Sequence, residues 1–512
     1  MKRKKAVQNS WLYQHRYWFV AIIIALLALF MAVYRFWTIP YGLSAQEKQS
    51  AIASSQLIND PGSILPTGQA GGLVNLPWRL LQGCSIKLLG MSIFSVRLPA
   101  VITALLAVAV IIFLLSKIFR PNLAAMSGLL LVSSSFAIAI SHSGTPVALI
   151  TLLVSLALLA GYYIANGSDK ARRRGFWGAV ITCALLTYMT GGIYLVVALV
   201  AAAIIHPRIR LVLKSSKAHL IAYTVFYLAL TLPLSSAVAA GLIGASDNDV
   251  LRRLLVIGRP SLNNLSEFVA AYAGLQGQVI GGLIVPMTSI VGGILTLGGL
   301  VYCAIHARAS VRFYLLIAML VVLLATGACN PGLIYLLFIP VAILQTMCIA
   351  WITNSWYGLF PKNPYARVFA VAPIAILIGS LCLVDASRYF NSAGYDPDVV
   401  YGFDQKVPVA IDFIKDNQDK SLLLIADNST DREFYQQLAL SYDNVDVAQA
   451  TVDEQESLKR ALNDFAGDQS NQTLAVVSNN QVQMPDDLQL TELRTGWTAH
   501  DNVALRAYQR RS

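Results

Sequence analysis

Acidic residues are scarce and unevenly placed in this 512-residue chain: 20 of its 27 Asp and Glu follow residue 385, together with only 11 of its 38 Lys and Arg. The first 385 residues therefore hold 7 acids and 27 bases. Charged residues make up only 13% of the whole, 56% are hydrophobic and the mean hydropathy is +0.60, which excludes an ordinary soluble globule. The six cysteines, Cys84, Cys183, Cys303, Cys329, Cys348 and Cys382, have no paired spacing and none lies in the tail. No disulfide framework or zinc site is implied. A glycine-rich phosphate loop is also missing, and the bases fall in short loops between apolar runs, which excludes a nucleic-acid partner despite the net charge of +11.

What the chain does have is apolar runs of spanning length. Residues 1–5 are basic and precede an apolar run over 17–37 that is longer than a usual signal peptide and has no convincing cleavage site after it, so it is read as a retained first helix. Further spans are expected near 97–119, 122–140, 146–166, 175–189, 191–206, 218–240, 279–305, 312–328, 332–353 and 367–385, about eleven in all. With the N-terminus cytoplasmic, every inside loop is basic: Lys117 and Arg120, Lys170 to Arg174, Arg208 to Lys217, Arg308 and Arg312, Lys362 and Arg367. The expectation is a multi-pass integral protein of the plasma (inner) membrane, with its longer loops and its tail on the outer side.

The tail changes character. Helical patterns at 407–416, 431–441 and 454–465 alternate with strand patterns at 421–426, 445–450 and 473–478, and 488–493 and 503–508 add two more strands. The fold class expected is therefore an all-α polytopic membrane bundle, residues 1–394, followed by a small extracytoplasmic α/β domain, residues 395–512, with a mostly parallel sheet.

Two outer loops hold the chemistry-bearing side chains. The first, residues 38–96, contains Glu47, the first acid of the chain, in Ser44-Ala-Gln-Glu47. That tetrapeptide has the pattern of a helix capping box, so Glu47 has a structural role open to it as well as a catalytic or metal-binding one. Later in this loop Leu73, Leu76, Leu80, Leu81, Cys84 and Leu88 recur at helical spacing while Asn75, Arg79, Gln82 and Lys87 point elsewhere, the pattern of a helix lying in the membrane interface. Arg97 ends the loop, and His142 lies in a short outer turn, Ser141 to Thr145. The second loop, 241–278, carries Arg252, Arg253 and Arg259, a basic cluster against the orientation trend. These arginines suit either lipid headgroups or the phosphate of a lipid-linked substrate.

The run Leu88-Leu-Gly-Met-Ser-Ile-Phe-Ser-Val-Arg97-Leu-Pro-Ala100, the Asn75-Leu-Pro-Trp78 before it and the Ser141-His-Ser-Gly-Thr-Pro146 after it resemble the polytopic GT-C glycosyltransferases. The nearest groups are the protein O-mannosyltransferase and aminoarabinose transferase-like enzymes and the bacterial Rgt-like branch. Motif resemblance covers residues 10 to about 165 and continues only as span layout. It implies transfer of a sugar from a polyprenyl-phosphate-linked donor to an envelope glycan, lipid or protein acceptor on the outer face, among membrane lipids. Glu47 is then the candidate base, with Arg97, His142, Arg252, Arg253 and Arg259 as candidate substrate contacts. No cofactor is implied, no metal-ligand set is evident, and a divalent cation is left open. The chain departs from the family at two places: Gln46-Glu47 stands where the family has Asp-Glu, and Val147 follows the later Thr-Pro where the family often has an acid. Glutamine cannot act as a base, and Glu47 is turned by roughly 100° from its neighbour on a helix. A non-catalytic scaffold or carrier-binding protein is thus the alternative. A transporter ranks third, because the spans hold almost no ionisable residues to line a path.

Overall fold

The computed structural model describes residues 16–60, 73–215, 217–243, 249–256, 261–272, 278–280, 283–306, 311–359, 364–396, 402–426, 429–442, 445–449, 472–477, 488–495 and 503–510. The membrane part is helical. Helix α1 (Arg16–Val33) leads into a two-residue strand β1 (Leu43–Ser44), then α2 (Ala45–Asn59), α3 (Leu76–Leu89) and α4 (Ile93–Ile118). The chain continues through α5 (Pro121–Ser133), α6 (Ser135–His142), α7 (Val147–Asn166), α8 (Asp169–Thr187), α9 (Gly192–Ile205), α10 (Pro207–Ser215) and α11 (Lys217–Ile243). The second loop forms α12 (Asp249–Leu255), α13 (Leu262–Tyr272) and the strands β2 (Gln278–Ile280) and β3 (Leu283–Val285). Then come α14 (Ile290–Ile305), α15 (Val311–Cys329), a 3₁₀ turn (Pro331–Leu337), α16 (Phe338–Leu359) and α17 (Pro364–Tyr395).

Among the described residues five helices are long and apolar enough to cross a membrane, and seven if each of two bent pairs is one span. The pairs are α5 with α6, bent by 56°, and α9 with α10, bent by 83°. The apolar helices Trp18–Val33, Ile290–Ile305 and Tyr314–Cys329 are shorter. Burial sorts centre from periphery: 83% of the apolar window in Pro331–Gly358 is buried, but only 17% of that in Leu220–Ala239, where Leu220, Leu228, Leu230 and Leu232 face outward as a lipid-exposed helix requires. One boundary differs from expectation. The apolar run from 279 does not start a helix; its first residues pair as an antiparallel hairpin, Val279 opposite Ile284, and helix begins only at Ile290.

Local chemistry sets the start of α4. Ser92 caps it by accepting the Ser95 N–H at 3.2 Å, and the Ser95 hydroxyl accepts the Ser92 N–H in return. Pro99, inside the helix, has no N–H to give the Ser95 carbonyl. The Ser85 hydroxyl of α3 takes that place, donating to Ser95 O at 2.7 Å. The helix break is thereby converted into a contact between α3 and α4.

The C-terminal module contains β4 (Phe403–Asp404), α18 (Lys406–Asp416), β5 (Ser421–Ala426), α19 (Ser429–Ala439), β6 (Val445–Gln449), β7 (Gln472–Val477), β8 (Leu488–Thr495) and β9 (Val503–Arg510). Five strands form one sheet in the order β6-β5-β7-β9-β8. The two pairings among β6, β5 and β7 are parallel and the two made by β9, with β7 and with β8, are antiparallel, so the sheet is mixed, with β9 alone running against the other strands. The helix expected at 454–465 lies outside the described residues. One apolar cluster crosses the boundary expected near residue 395: Leu43, Ala51, Ile52, Ile86 and Met91 pack with Val407, Ile411, Phe413 and Leu438. Strand β1 also pairs antiparallel with β4, Leu43 opposite Asp404. Gly42 permits this closeness. Its φ is +101°, and a Cβ there would lie 2.3 Å from the Asp404 carbonyl oxygen.

Candidate active site around the opening loop

The turn after α1 is held by its own sequence. Ser44 caps α2, its hydroxyl accepting the Glu47 N–H at 3.2 Å, and a Glu47 carboxylate oxygen accepts the Ser44 N–H at 3.0 Å, which completes the capping box. Glu47 does more than cap. Arg97 donates to it twice, from Nε to Oε1 at 2.9 Å and from Nη2 to Oε2 at 3.1 Å. The Gly144 N–H donates to Oε1 at 2.7 Å. A carboxylate offers about four acceptor positions, and here four protein donors occupy them. Both ionised side chains are 0% exposed.

Arg97 is equally complete. Besides its two bonds to Glu47, Nη1 donates to Phe36 O at 3.1 Å and Pro40 O at 2.9 Å, and Nη2 donates to Gly42 O at 2.6 Å. All five guanidinium donors are used. They gather the carbonyls of the turn between α1 and α2, so Arg97 ties that turn to the first helical turn of α4. His142 lies close by, also 0% exposed. Its Nε2 is 3.2 Å from Met31 O, which can only accept, so Nε2 carries the proton and Nδ1 receives the Tyr389 hydroxyl at 2.8 Å. The structure thus brings Glu47, Arg97 and His142 into one buried knot. None of the three presents an open polar atom to a substrate.

Gln82 completes the knot, and the sequence gives little sign of it. Its Oε1 accepts from Ser50 at 2.7 Å and Ser54 at 2.8 Å, and its Nε2 donates to Val96 O and Gly144 O, each at 3.0 Å. Trp78 Nε1 donates to the Ser50 hydroxyl at 2.9 Å. Helix α3 turns inward a face that mixes Gln82 with Trp78, Gly83 and Ile86. Its apolar face, with Leu80, Leu81 and Leu88, is exposed, as suits a helix whose outer surround is lipid rather than water. Gly144 lies so close to Val96 that a Cβ would meet its Cγ1 at 2.7 Å.

Lys48, next along α2, reaches the other way. Its Nζ donates to Asp404 Oδ2 at 2.9 Å and to Asp431 Oδ1, joining the opening loop to the C-terminal module. Burial works against its charge, but the two carboxylates outweigh burial and hold Lys48 above the ordinary lysine value. Gln46, one residue before Glu47, is exposed.

The basic residues gather at the far end of α3. Asn75 precedes that helix and is clamped to the turn after α8: its N–H donates to Tyr188 O at 2.8 Å, and its Oδ1 accepts the Thr190 N–H at 2.9 Å. The same turn holds α12, because the Gly191 N–H donates to Leu254 O at 2.7 Å. Leu254 also packs with Leu73, Val74, Tyr188 and Leu234. These contacts bring Arg79, one turn into α3, near the exposed Arg253 of α12. Burial, and then the charge of Arg253, pull the Arg79 guanidinium below the ordinary arginine value. Arg252 is on α12 too, while Arg259 lies outside the described residues. Among the described residues no group of three His, Cys, Asp or Glu is placed to hold a metal, and Glu47 has no acceptor position left for one.

Residues 77–236 match the family model of dolichyl-phosphate-mannose-protein mannosyltransferases. Among solved structures, ArnT from Cupriavidus metallidurans bound to undecaprenyl phosphate is similar with a TM-score of 0.55 at 14% identity, over 96% of this chain and 98% of that one. The apo state of ArnT from the same organism gives a TM-score of 0.54 at 14% identity, over 97% of each chain. No curated protein matches the sequence significantly. The structural likeness extends over almost the whole length, well beyond the motif-bearing first third. The chain is an integral membrane protein that shares the fold of ArnT.

Proposed function

We propose that the protein moves a sugar from a polyprenyl-phosphate-linked donor to an envelope acceptor on the outer face of the membrane. The observation that carries this reading is the packing of α12, which carries Arg253, against the start of the interfacial helix α3, which carries Arg79, on a fold shared with an ArnT seen bound to undecaprenyl phosphate. Two guanidiniums near each other, one half-buried, suit a phosphate diester or monoester, which accepts forked hydrogen bonds from both. Arg252 and Arg259 extend the same basic group in sequence. The exposed apolar face of α3 offers the isoprenoid chain a surface beside that phosphate.

The chemistry asked of the protein is modest. Phosphate is a good leaving group, so the site must hold it and remove a proton from the acceptor hydroxyl. We infer that Glu47, Arg97 and His142 position the loop that forms the site and do not themselves touch substrate. With Glu47 saturated and Gln46 unable to accept a proton, a base must come from elsewhere, and the acids of the second loop, Asp247, Asp249 and Glu267, are the candidates. The same saturation favours a second reading, in which the protein binds the carrier without turning it over.

The deciding experiment is mass spectrometry of the lipids that copurify with the detergent-solubilised protein, followed by titration with undecaprenyl phosphate. Enrichment of polyprenyl phosphates and saturable binding support both readings. Turnover with a lipid-linked sugar separates the first from the second, and absence of both enrichment and binding overturns the proposal. Orientation is tested independently: single cysteines at Ser168 and Asp419 in a cysteine-free background should label from opposite sides of the membrane. Labelling from one side would reverse the placement of the C-terminal module outside.

A further inference from the structure

A polar cavity lies inside the helix bundle, away from the knot around Arg97. Its open space, mouth included, is about 550 Å³, and five segments wall it: α5, the α5–α6 break, the start of α14, α16 and α17. Ser127, Ser134, Thr288, Gln345, Thr346 and Asp385 bring oxygen to this wall. Asp385 is the only acid of α17 within its apolar stretch, and its Oδ1 is buried without a hydrogen-bond donor among the described residues.

A carboxylate inside a membrane bundle must be paired, protonated or bound to a cation, because its desolvation is otherwise too costly. The paired state is not built here. Arg388, one turn along α17, is exposed, and none of the lining side chains is cationic. A protonated acid would need only a single acceptor, whereas this wall carries several oxygen-bearing side chains. The Ser127 and Thr346 hydroxyls each give their proton to a carbonyl four residues back, at 2.9 and 2.8 Å, which leaves the oxygen lone pairs for another ligand. Gln345 likewise gives Nε2 to Gly292 O at 3.1 Å, so the amide is oriented by protein. Helix α5 ends at the same wall, where Leu130, Leu131 and Ser134 line the cavity; the Leu131 carbonyl accepts the Ser134 N–H at 3.4 Å and the Ser134 carbonyl the Ile138 N–H at 3.1 Å, each keeping a second lone pair. The opposing feature is the start of α14, but there the Gly292 N–H is already taken by the Ser289 hydroxyl at 3.2 Å.

We propose that the cavity beside Asp385 is a binding site for a monovalent alkali cation. One carboxylate with neutral oxygens balances a single positive charge, while a divalent ion would leave an uncompensated charge in a low-dielectric interior. Hydroxyl, amide and carbonyl oxygens are the ligands that hard cations prefer, and broken helices are where membrane bundles supply them. The cation would join α17, which carries Asp385, to the kinked α5–α6 pair and to α16.

The test is direct binding of ²²Na⁺ to the purified full-length protein in detergent, with choline chloride holding ionic strength constant. Saturable binding, displaced by unlabelled Na⁺ or K⁺ and weakened about tenfold or more in Asp385→Asn, is the expected result. Thermal unfolding should shift upward with Na⁺ or K⁺ in the parent and not in Asp385→Asn. If Asp385→Asn does not fold, Thr346→Val and Gln345→Leu keep the carboxylate and should still weaken binding several-fold. Absence of saturable Na⁺ or K⁺ binding in the parent, or equal binding by parent and variants, overturns the proposal. Stabilisation by Ca²⁺ alone would overturn it as well.

Discussion

Arg97 and Glu47 face each other with two parallel hydrogen bonds of 2.9 and 3.1 Å, and neither side chain reaches solvent. A pair buried in this way is asymmetric in its energetics. Removing one partner leaves a desolvated charge and costs about 3–5 kcal/mol, whereas removing both costs far less than the sum. Glu47→Ala and Arg97→Ala should therefore each lower the thermal unfolding midpoint of the detergent-solubilised protein sharply, and Glu47→Leu with Arg97→Met should recover much of the loss. Glu47→Gln keeps the capping box yet sets an amide N–H against a guanidinium, so it belongs with the damaging variants. Small, additive shifts would show that the pair holds nothing together.

Much of this arrangement was legible in the sequence, in proportion to how local its causes are. The Ser44-to-Glu47 box depends on four consecutive residues, and strand β5 on six, Ser421 to Ala426; both lie where the pattern places them. The hairpin at 278–285 was not legible, because a short apolar run reads alike as strand or buried helix. For α3 the helical spacing was clear but not which residues turn inward: Trp78, Gln82 and Ile86 are buried, while Leu80, Leu81 and Lys87 are exposed. In a membrane interface the apolar face can meet lipid, and Gln82 is buried for that reason. Lys48 and Asp404 are 356 residues apart, and nothing near either one announces the other.

The Lys48 junction has a defined pH window. Its proton is held more tightly in the folded chain than in the unfolded one, because Asp404 and Asp431 outweigh burial. That contribution is complete below the ordinary lysine range, about 10.4, and is lost as pH rises through the higher folded value. The difference in unfolding midpoint between the parent and Lys48→Met should be flat from about pH 6 to 9 and shrink only above the lysine range. A difference that changes near neutrality would assign the effect to other groups.

The arginine pair is expected to show itself in carrier binding and its salt dependence. Arg253→Ala and Arg79→Ala should each weaken binding of a polyprenyl phosphate about tenfold, in keeping with loss of a charge-assisted bond of about 1.5–3 kcal/mol. Lysine keeps the charge but not the fork, so the Arg→Lys variants should fall between. Added salt should weaken the parent more than the alanine variants. Carrier affinity untouched by both alanine changes would assign the cluster to lipid headgroups instead.

Gln46 carries the sharpest functional prediction. It is exposed in the first turn of α2, held there by the capping box and by the Glu47–Arg97 pair, neither of which uses its side chain. An aspartate at this position would be solvent-accessible beside the opening loop, with its backbone already fixed, and would restore the acidic pair of the resembling family. A general base typically contributes on the order of 10² to 10⁴ in rate. Gln46→Asp should accordingly raise turnover of a lipid-linked sugar donor by that order while leaving carrier affinity unchanged, and Gln46→Asn, with the same shape but no basicity, should raise nothing. The comparison of the two isosteres separates proton transfer from any change in packing. Equal turnover in the parent, Gln46→Asp and Gln46→Asn would mean that the acceptor's proton leaves by another route, and Asp247→Asn, Asp249→Asn and Glu267→Gln would then be the variants among which the one that abolishes activity identifies the base.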